Sequence, residues 1–369
     1  MYAALREAGP ISYHEAGDYW VLPRYDEVFA AVRDTERFSS AEGLSFTYGE
    51  REKIGLDEAA PMVMLDPPDH TAFRRLVSAC FTPRAVATVE AAVRAFVVER
   101  LDEIVERGGE VDVMAVLFKP LPSFVVAHYL GVPAADRVQF DGWTEAIVAA
   151  NAAGDALDAA NAVMELMGYF SGLVEERRAA PGDDTISLLL DAPLLQILGF
   201  AFTMVAGGND TVSGLLGGST ELLTAHPEQR KLLADDPGLL PAAVEELLRL
   251  TSPVQGLART TTVPVTIGDV TVPAGKKVAL LYGSANRDEA QFGPDADALD
   301  LRRGPKQVLA FGYGAHHCLG AAAARLQGRV VLEELLARCP DFAVDAERGE
   351  FAPGSHVRRY LSLPFAACP

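Results

Sequence analysis

Phe311-Gly312-Tyr313-Gly314-Ala315-His316-His317-Cys318-Leu319-Gly320 places one cysteine inside a glycine-punctuated loop, directly before an alanine-rich stretch. Gly312, Gly314 and Gly320 let the backbone approach a ligand closely and adopt positive φ at low cost. Amide N–H groups can then point at the sulfur of Cys318, an arrangement that suits a thiolate binding haem iron. A sulfur held in this way pushes electron density onto the iron and favours O–O bond cleavage. Taken alone, a cysteine is more often a small buried apolar residue. Cys80, Cys339 and Cys368 show no Cys-x-x-Cys or Cys/His ligand spacing, so neither a zinc site nor a disulfide framework is indicated.

Outward from this loop, the 369 residues show no composition break or low-complexity linker, and one closely integrated domain over 1–369 is expected. No signal peptide and no apolar run of about twenty residues is evident, which predicts a cytoplasmic protein with no membrane anchor. Scattered cysteines agree with a reducing compartment. Thirty-two basic against fifty-one acidic residues give a net charge of −19, which disfavours a nucleic-acid partner. Arg74, Arg75, Arg84, Lys306, Arg325 and Arg329 read either as solvated helix faces or as a docking surface for an acidic electron donor.

The hydrophobic spacing predicts a mainly α protein with small β-sheets. A short helix (2–7), a strand pair (11–13 and 19–22) and a helix (26–33) open the chain. Val86, Val89, Val93, Phe96, Val97, Leu101 and Ile104 then follow a helical period that Gly108-Gly109 ends. Further helices are predicted over 121–131, 136–150, 156–178, 194–225, 227–234 and 239–250. The period switches to two at Val265 and Ile267, turns at Gly268-Asp269, and resumes at Val270 and Val272, a β-hairpin followed by a strand at Val278 and Leu280. A helix from about 321 to 338 follows Cys318, and short extended pieces close the chain. The β-rich part is expected mainly at 1–60, 255–285 and 342–369.

Three other stretches carry chemistry. Ala206-Gly207-Gly208-Asn209-Asp210-Thr211 puts two glycines inside an apolar helix, at a cost of roughly 2 kcal/mol relative to alanines. Such a pair marks close packing of another backbone or a surface that something flat must approach. Glu246-Leu-Leu-Arg249 is an ordinary i,i+3 pair on one helix side. In Asp66-Pro-Pro-Asp-His70-Thr-Ala-Phe-Arg74-Arg75, His70 and Arg74 share a helix face, and the aspartates read as capping.

The Cys318 loop resembles the cysteine-ligand loop of cytochromes P450, Phe-Gly-x-Gly-x-His/Arg-x-Cys-x-Gly, and meets every fixed position. Gly207 to Thr211 resemble the distal helix of that family, and Glu246 to Arg249 its Glu-x-x-Arg motif. The resemblance implies the cytochrome P450 fold and a haem b cofactor. It assigns Cys318 to the iron, and His70, Arg74, Arg259 and His316 to the haem propionates. Phe311 would shield the sulfur, while Gly312 and Gly320 shape the loop. Gly207 and Gly208 would make room for dioxygen, Thr211 would hydrogen-bond it, and Asp210 would relay protons. Glu246 and Arg249 would brace the cysteine loop, with the family's usual third charge missing because Ala298 takes that arginine's place.

By family position, substrate contacts fall at Met62, Val63, Met64, Thr203, Val254, Leu257 and Ser355 to Val357, including His356 and Val357. Mostly small and apolar, they imply a lipophilic organic substrate held largely by shape. The implied activity is monooxygenation with O2, by hydroxylation, dealkylation or epoxidation. Electrons would come from NAD(P)H through a ferredoxin and ferredoxin reductase. The chain starts later than such proteins usually do. The junction near 192–194 is shorter than the family's acidic connector, as a missing loop or a true deletion would make it. Competing readings are a peroxide-using haem-thiolate enzyme and a non-catalytic haem-binding module, neither of which needs Asp210 and Thr211.

Overall fold

The computed structural model describes residues 1–50, 60–153, 159–354 and 356–367. Helices dominate it. The amphipathic spacing of Glu90–Arg107 puts Val93, Val97, Leu101 and Ile104 on one buried stripe. Each such side chain contributes about 1.5–3 kcal/mol on leaving water. That stripe packs against Ala321–Arg338, the helix that follows the cysteine, which in turn lies on Leu240–Thr251 and Asp210–Ala225. Gly328 makes the last approach possible, since a Cβ there would sit 3.3 Å from Leu215. Arginines and glutamates join the outer edges of the first pair: Arg94 with Glu90 (3.0 Å) and Glu333 (2.5 Å), and Arg329 with Glu90 (2.6 Å) and Glu333 (2.8 Å).

A second hydrophobic cluster lies beside a five-stranded sheet ordered Ser12–His14, Tyr19–Leu22, Lys277–Leu280, Leu257–Thr261, Phe38–Ser39. Tyr19–Leu22 pairs with Lys277–Leu280 in parallel, and the other neighbours are antiparallel. Val265–Ile267 and Val270–Val272 form the expected hairpin, with Gly268 at φ +58° in its turn. The strands after residue 342 do not join the five-stranded sheet. Pro364–Ala366 pairs with Glu110–Asp112 and Ala343–Val344, and Glu350–Phe351 pairs with Tyr360–Ser362.

Two local readings change. The helix expected over 194–225 is two helices, Leu194–Gly208 and Asp210–Ala225, broken at Asn209. Side chains compete with the helical ladder there: Asn209 Nδ2 donates to Val205 O (2.7 Å), Thr211 Oγ1 to Gly207 O (3.0 Å) and Ser213 Oγ to Asn209 O (2.9 Å). Asp66 does not cap its helix. Its carboxylate accepts from Ser39 Oγ and from the Ser40 N–H (2.9 Å), tying the 39–40 segment to the helix Asp69–Val77. At the short junction, residues 189–193 form a hydrogen-bonded turn between Thr185–Leu188 and Leu194–Gly208.

Candidate functional site

The loop around Cys318 is set by its own backbone. Gly312 (φ +62°) and Gly314 (φ +71°) take the left-handed region, as expected, and a Cβ on Gly314 would lie 3.2 Å from Val32 O. Gly320 differs: at φ −81° it caps the helix Ala321–Arg338. Its N–H donates to the Cys318 sulfur. The Cys318 N–H donates to Phe311 O (2.9 Å), closing the loop. Cys318 has many protein atoms around it, yet the residue is accessible. Burial pushes its thiol pKa up; the Gly320 amide, then Arg74 and Arg325, act in the opposite sense. Phe311 carries the Arg325 guanidinium 4.6 Å from its ring centre.

Behind the loop lies a buried charge cluster. Glu246 and Arg249 are fully buried and joined twice, Nε to Oε2 and Nη2 to Oε1, each at 2.8 Å. Arg249 also donates to the carbonyls of Asn286 (2.8 Å), Ala296 and Ala298. Asn286 Oδ1 accepts from the Leu309 N–H (2.7 Å), and Leu309 O accepts from the Gly312 N–H (2.9 Å). A continuous chain therefore runs from Arg249 into the cysteine loop. The third charge comes from Arg303, whose Nε donates to Glu246 Oε1 (3.1 Å) while its Nη2 meets Asp295 (3.0 Å). No short motif marks Arg303; the signal was the pair Arg302-Arg303 in a loop otherwise rich in aspartate.

His70, Arg74, Arg259 and His316 come together. The two imidazoles are 4.2 Å apart between centres. Burial, then Arg259, His70 and Arg74, push the His316 pKa down to about 3. Burial and then Arg74 hold His70 low, and its Nδ1 is buried with no hydrogen-bond partner. Asp66 acts on His70 in the opposite sense but is engaged by Ser39 and Ser40. Two arginines, Arg74 and Arg259, beside imidazoles whose pKa is pushed down and one orphaned imidazole nitrogen, are stabilised by anions brought among them. The two carboxylates of a haem fit that need, and the accessible Cys318 sulfur fits its iron. Among the described residues no group of three or more His, Cys, Asp or Glu could hold a bare metal ion.

On the distal side, Gly207 is exposed and a Cβ there would meet nothing within 4 Å, whereas one on Gly208 would lie 2.7 Å from Val126 Cγ2. One glycine borders open space and the other seats the helix Pro120–Tyr129. Gly208→Ala should therefore cost about 1–3 kcal/mol through overpacking, while Gly207→Ala should gain up to about 1 kcal/mol of helix propensity. Thermal unfolding of the two variants distinguishes them. Asp210 is buried and its Oδ1 lies 2.5 Å from Arg359 Nε. Burial raises its carboxyl pKa to about 6, against the opposing pull of Arg359 and then Lys119.

Met62–Met64 form one turn packed on the helix Leu194–Gly208. On that helix the Thr203 hydroxyl is spent on Gly199 O (2.8 Å). Val254 bridges Val357, Gln255 N donates to His356 O (2.7 Å), and Leu257 starts the adjoining strand, so these four candidates lie on neighbouring pieces of chain. Ser355 lies outside the described residues. Phe46, which the sequence reading did not single out, stacks on His356 at 4.6 Å between ring centres.

A family model for cytochrome P450 matches residues 233–348. Cytochrome P450 130 of Mycobacterium tuberculosis is 60% identical over 380 residues, covering 99% of this chain and 94% of that protein. Vitamin D(3) 25-hydroxylase of Pseudonocardia autotrophica is 38% identical over 382 residues, covering 100% and 93%. The solved structure of CYP109E1 from Bacillus megaterium in complex with testosterone superposes with a TM-score of 0.88 at 31% identity, covering 99% and 98%.

Proposed function

This chain belongs to the cytochrome P450 family, and we propose that it binds haem b through Cys318 and oxygenates a lipophilic small molecule with electrons from NAD(P)H, a ferredoxin and its reductase. Membership makes it an oxidoreductase of the monooxygenase type, with a haem cofactor and small organic substrates. The observation that carries the finer reading is the accessible Cys318, set near Arg74, with Arg259 and the two imidazoles of His70 and His316 gathered about that arginine.

When bound, the haem supplies activation of O2 at a thiolate-ligated iron. The chain's part is positioning and proton handling. Cys318 gives the sulfur ligand, and the Gly320 N–H orients that sulfur. His70, Arg74, Arg259 and His316 hold the haem carboxylates, with Phe311 shielding the sulfur. Gly207 leaves space on the distal face, and the Gly208 contact with Val126 fixes the helix that makes that space. Asp210, with its pKa raised to about 6, both takes up and gives protons, and Thr211 passes them inward on turning its hydroxyl from Gly207 O, to which it donates in this structure (3.0 Å). Met62, Val63, Met64, Val254, Leu257, His356 and Val357, with Phe46, form an apolar wall that selects substrate by shape.

No single helix among the described residues is long and apolar enough to cross a membrane, which supports a cytoplasmic enzyme. Arg325 and Arg329 are engaged by Glu245, Glu90 and Glu333, so Arg75, Arg84 and Lys306 carry the exposed positive charge offered to an acidic ferredoxin. The distal acid–alcohol pair favours reductase-driven turnover over use of peroxide.

A panel of lipophilic compounds titrated against the ferric protein tests the reading. At least one is expected to displace distal water, shift the spin state, and be oxygenated when a surrogate ferredoxin and reductase are added. Binding without reductase-driven product, but with peroxide-driven product, would reject the electron-transfer reading.

A further inference from the structure

Asp210 does not face solvent freely. Its partner Arg359 is itself buried and enters from the extended segment that leads into Tyr360–Ser362. The contact is close, but the Nε–H is not aligned on the carboxylate, so it is an ion pair without a formed hydrogen bond. Arg359 Nη2 lies 3.5 Å from Val148 O on the helix Arg137–Ala153. One turn earlier on the same face, Thr144 Oγ1 is buried with no hydrogen-bond partner, and so is Asn209 Oδ1 beside the acid. Buried polar atoms without partners mark places that ordered water serves.

In an extended segment, side chains two apart lie on one face. Val357, in the wall described above, and Arg359 are so related. A residue of the proposed substrate wall and the residue that grips the acid are thus on one short piece of chain, with Arg358 N between them fixed to Pro253 O (2.8 Å). The charged groups acting on Asp210 are Arg359 and, from the start of Pro120–Tyr129, Lys119.

We propose that Arg359 is a positioning residue for proton delivery: it holds the Asp210 carboxylate by an ion pair, ties it to the Val148 carbonyl, and yields it to Thr211 as substrate displaces the Val357 segment. The proton leaves the Asp210 carboxyl oxygen for water beside Thr211, and the carboxylate is reprotonated from solvent. This inference rests on the reading of Asp210 and Thr211 as the proton path.

The test compares the wild-type holoenzyme with R359Q, R359K and D210N. Two quantities are read between pH 5 and 9: the infrared band of the protonated carboxyl that vanishes in D210N, and product formed per NAD(P)H consumed with a compound taken from the panel. Removing the positive partner of a buried acid raises its pKa. R359Q should therefore move the carboxyl midpoint up by about one unit or more, and shift the pH profile of coupling with it. R359K keeps the charge and the midpoint but cannot span both partners, so its coupling should fall about twofold or more. D210N should lower coupling and flatten its pH dependence.

If D210N alters coupling while R359Q leaves both midpoints at the wild-type position, the role of Arg359 is overturned and the proton path stands. If D210N couples like wild type, the proton path itself fails and the role of Arg359 with it. Should R359Q not fold, wild-type coupling in R359K would overturn the proposal alone.

Discussion

Cys318→Ser is expected to leave the fold intact and to abolish reductase-driven oxygenation. The loop is held by backbone: Gly312 and Gly314 in the left-handed region and the Cys318 N–H on Phe311 O. None of these needs the sulfur. A one-atom change at an accessible side chain should shift stability by no more than about 0.5–1 kcal/mol. On the proposed ligation, what is lost is the anionic sulfur that would make the iron electron-rich. Product should fall to the background of the uncatalysed reaction, while the unfolding temperature of the haem-free chain stays within a few degrees of wild type. Unfolding scans of the haem-free chains and turnover of the holoproteins read the two effects separately. A serine variant that retains turnover would remove Cys318 from the mechanism.

Arg249→Leu should have the largest effect on the fold itself. Glu246 is fully buried and its Oε1 receives the Arg249 Nη2, the Asp300 N–H (3.2 Å) and Arg303. Removing one partner of a buried pair costs about 3–5 kcal/mol, and Arg303 with the Asp300 N–H offsets only part of that loss. The substitution also strips the carbonyls of Asn286, Ala296 and Ala298 of a donor. Through Asn286 and Leu309 the damage reaches the cysteine loop, so haem retention should fail together with stability. Arg303→Leu removes the outer member, whose other partner Asp295 is exposed. Its cost should be smaller, about 1–3 kcal/mol. Denaturant unfolding and haem content of the two variants check the order; equal losses would show that Arg303 bears as much of the Glu246 charge as Arg249 does.

Contacts close in sequence were the legible ones. The Phe311 to Gly320 loop, the 265–272 hairpin and the stripe from Val93 to Ile104 are each specified by neighbours within a few turns, so periodicity and glycine placement exposed them. Charges that meet across the chain were not. Arg303 reaches Glu246 across 57 positions, from a loop where only the Arg302-Arg303 pair among aspartates stands out. Arg359 reaches Asp210 from near the other end of the chain, and only packing selects it over its neighbour Arg358. Phe46 meets His356 in the same way. The double glycine was visible as a propensity fault, but the break fell one residue later, where the side chains of Asn209, Thr211 and Ser213 capture backbone carbonyls. Gly207 and Gly208 read alike in sequence; only the position of Val126 separates them.

The most direct measurement is the absorption spectrum of the dithionite-reduced, haem-loaded protein under carbon monoxide. Ligation through the Cys318 thiolate predicts a Soret band displaced strongly to the red, and its absence from Cys318→Ser. A carbon monoxide spectrum of the histidine-ligated kind in the wild-type protein, or a chain that takes up no haem at all, would contradict the account.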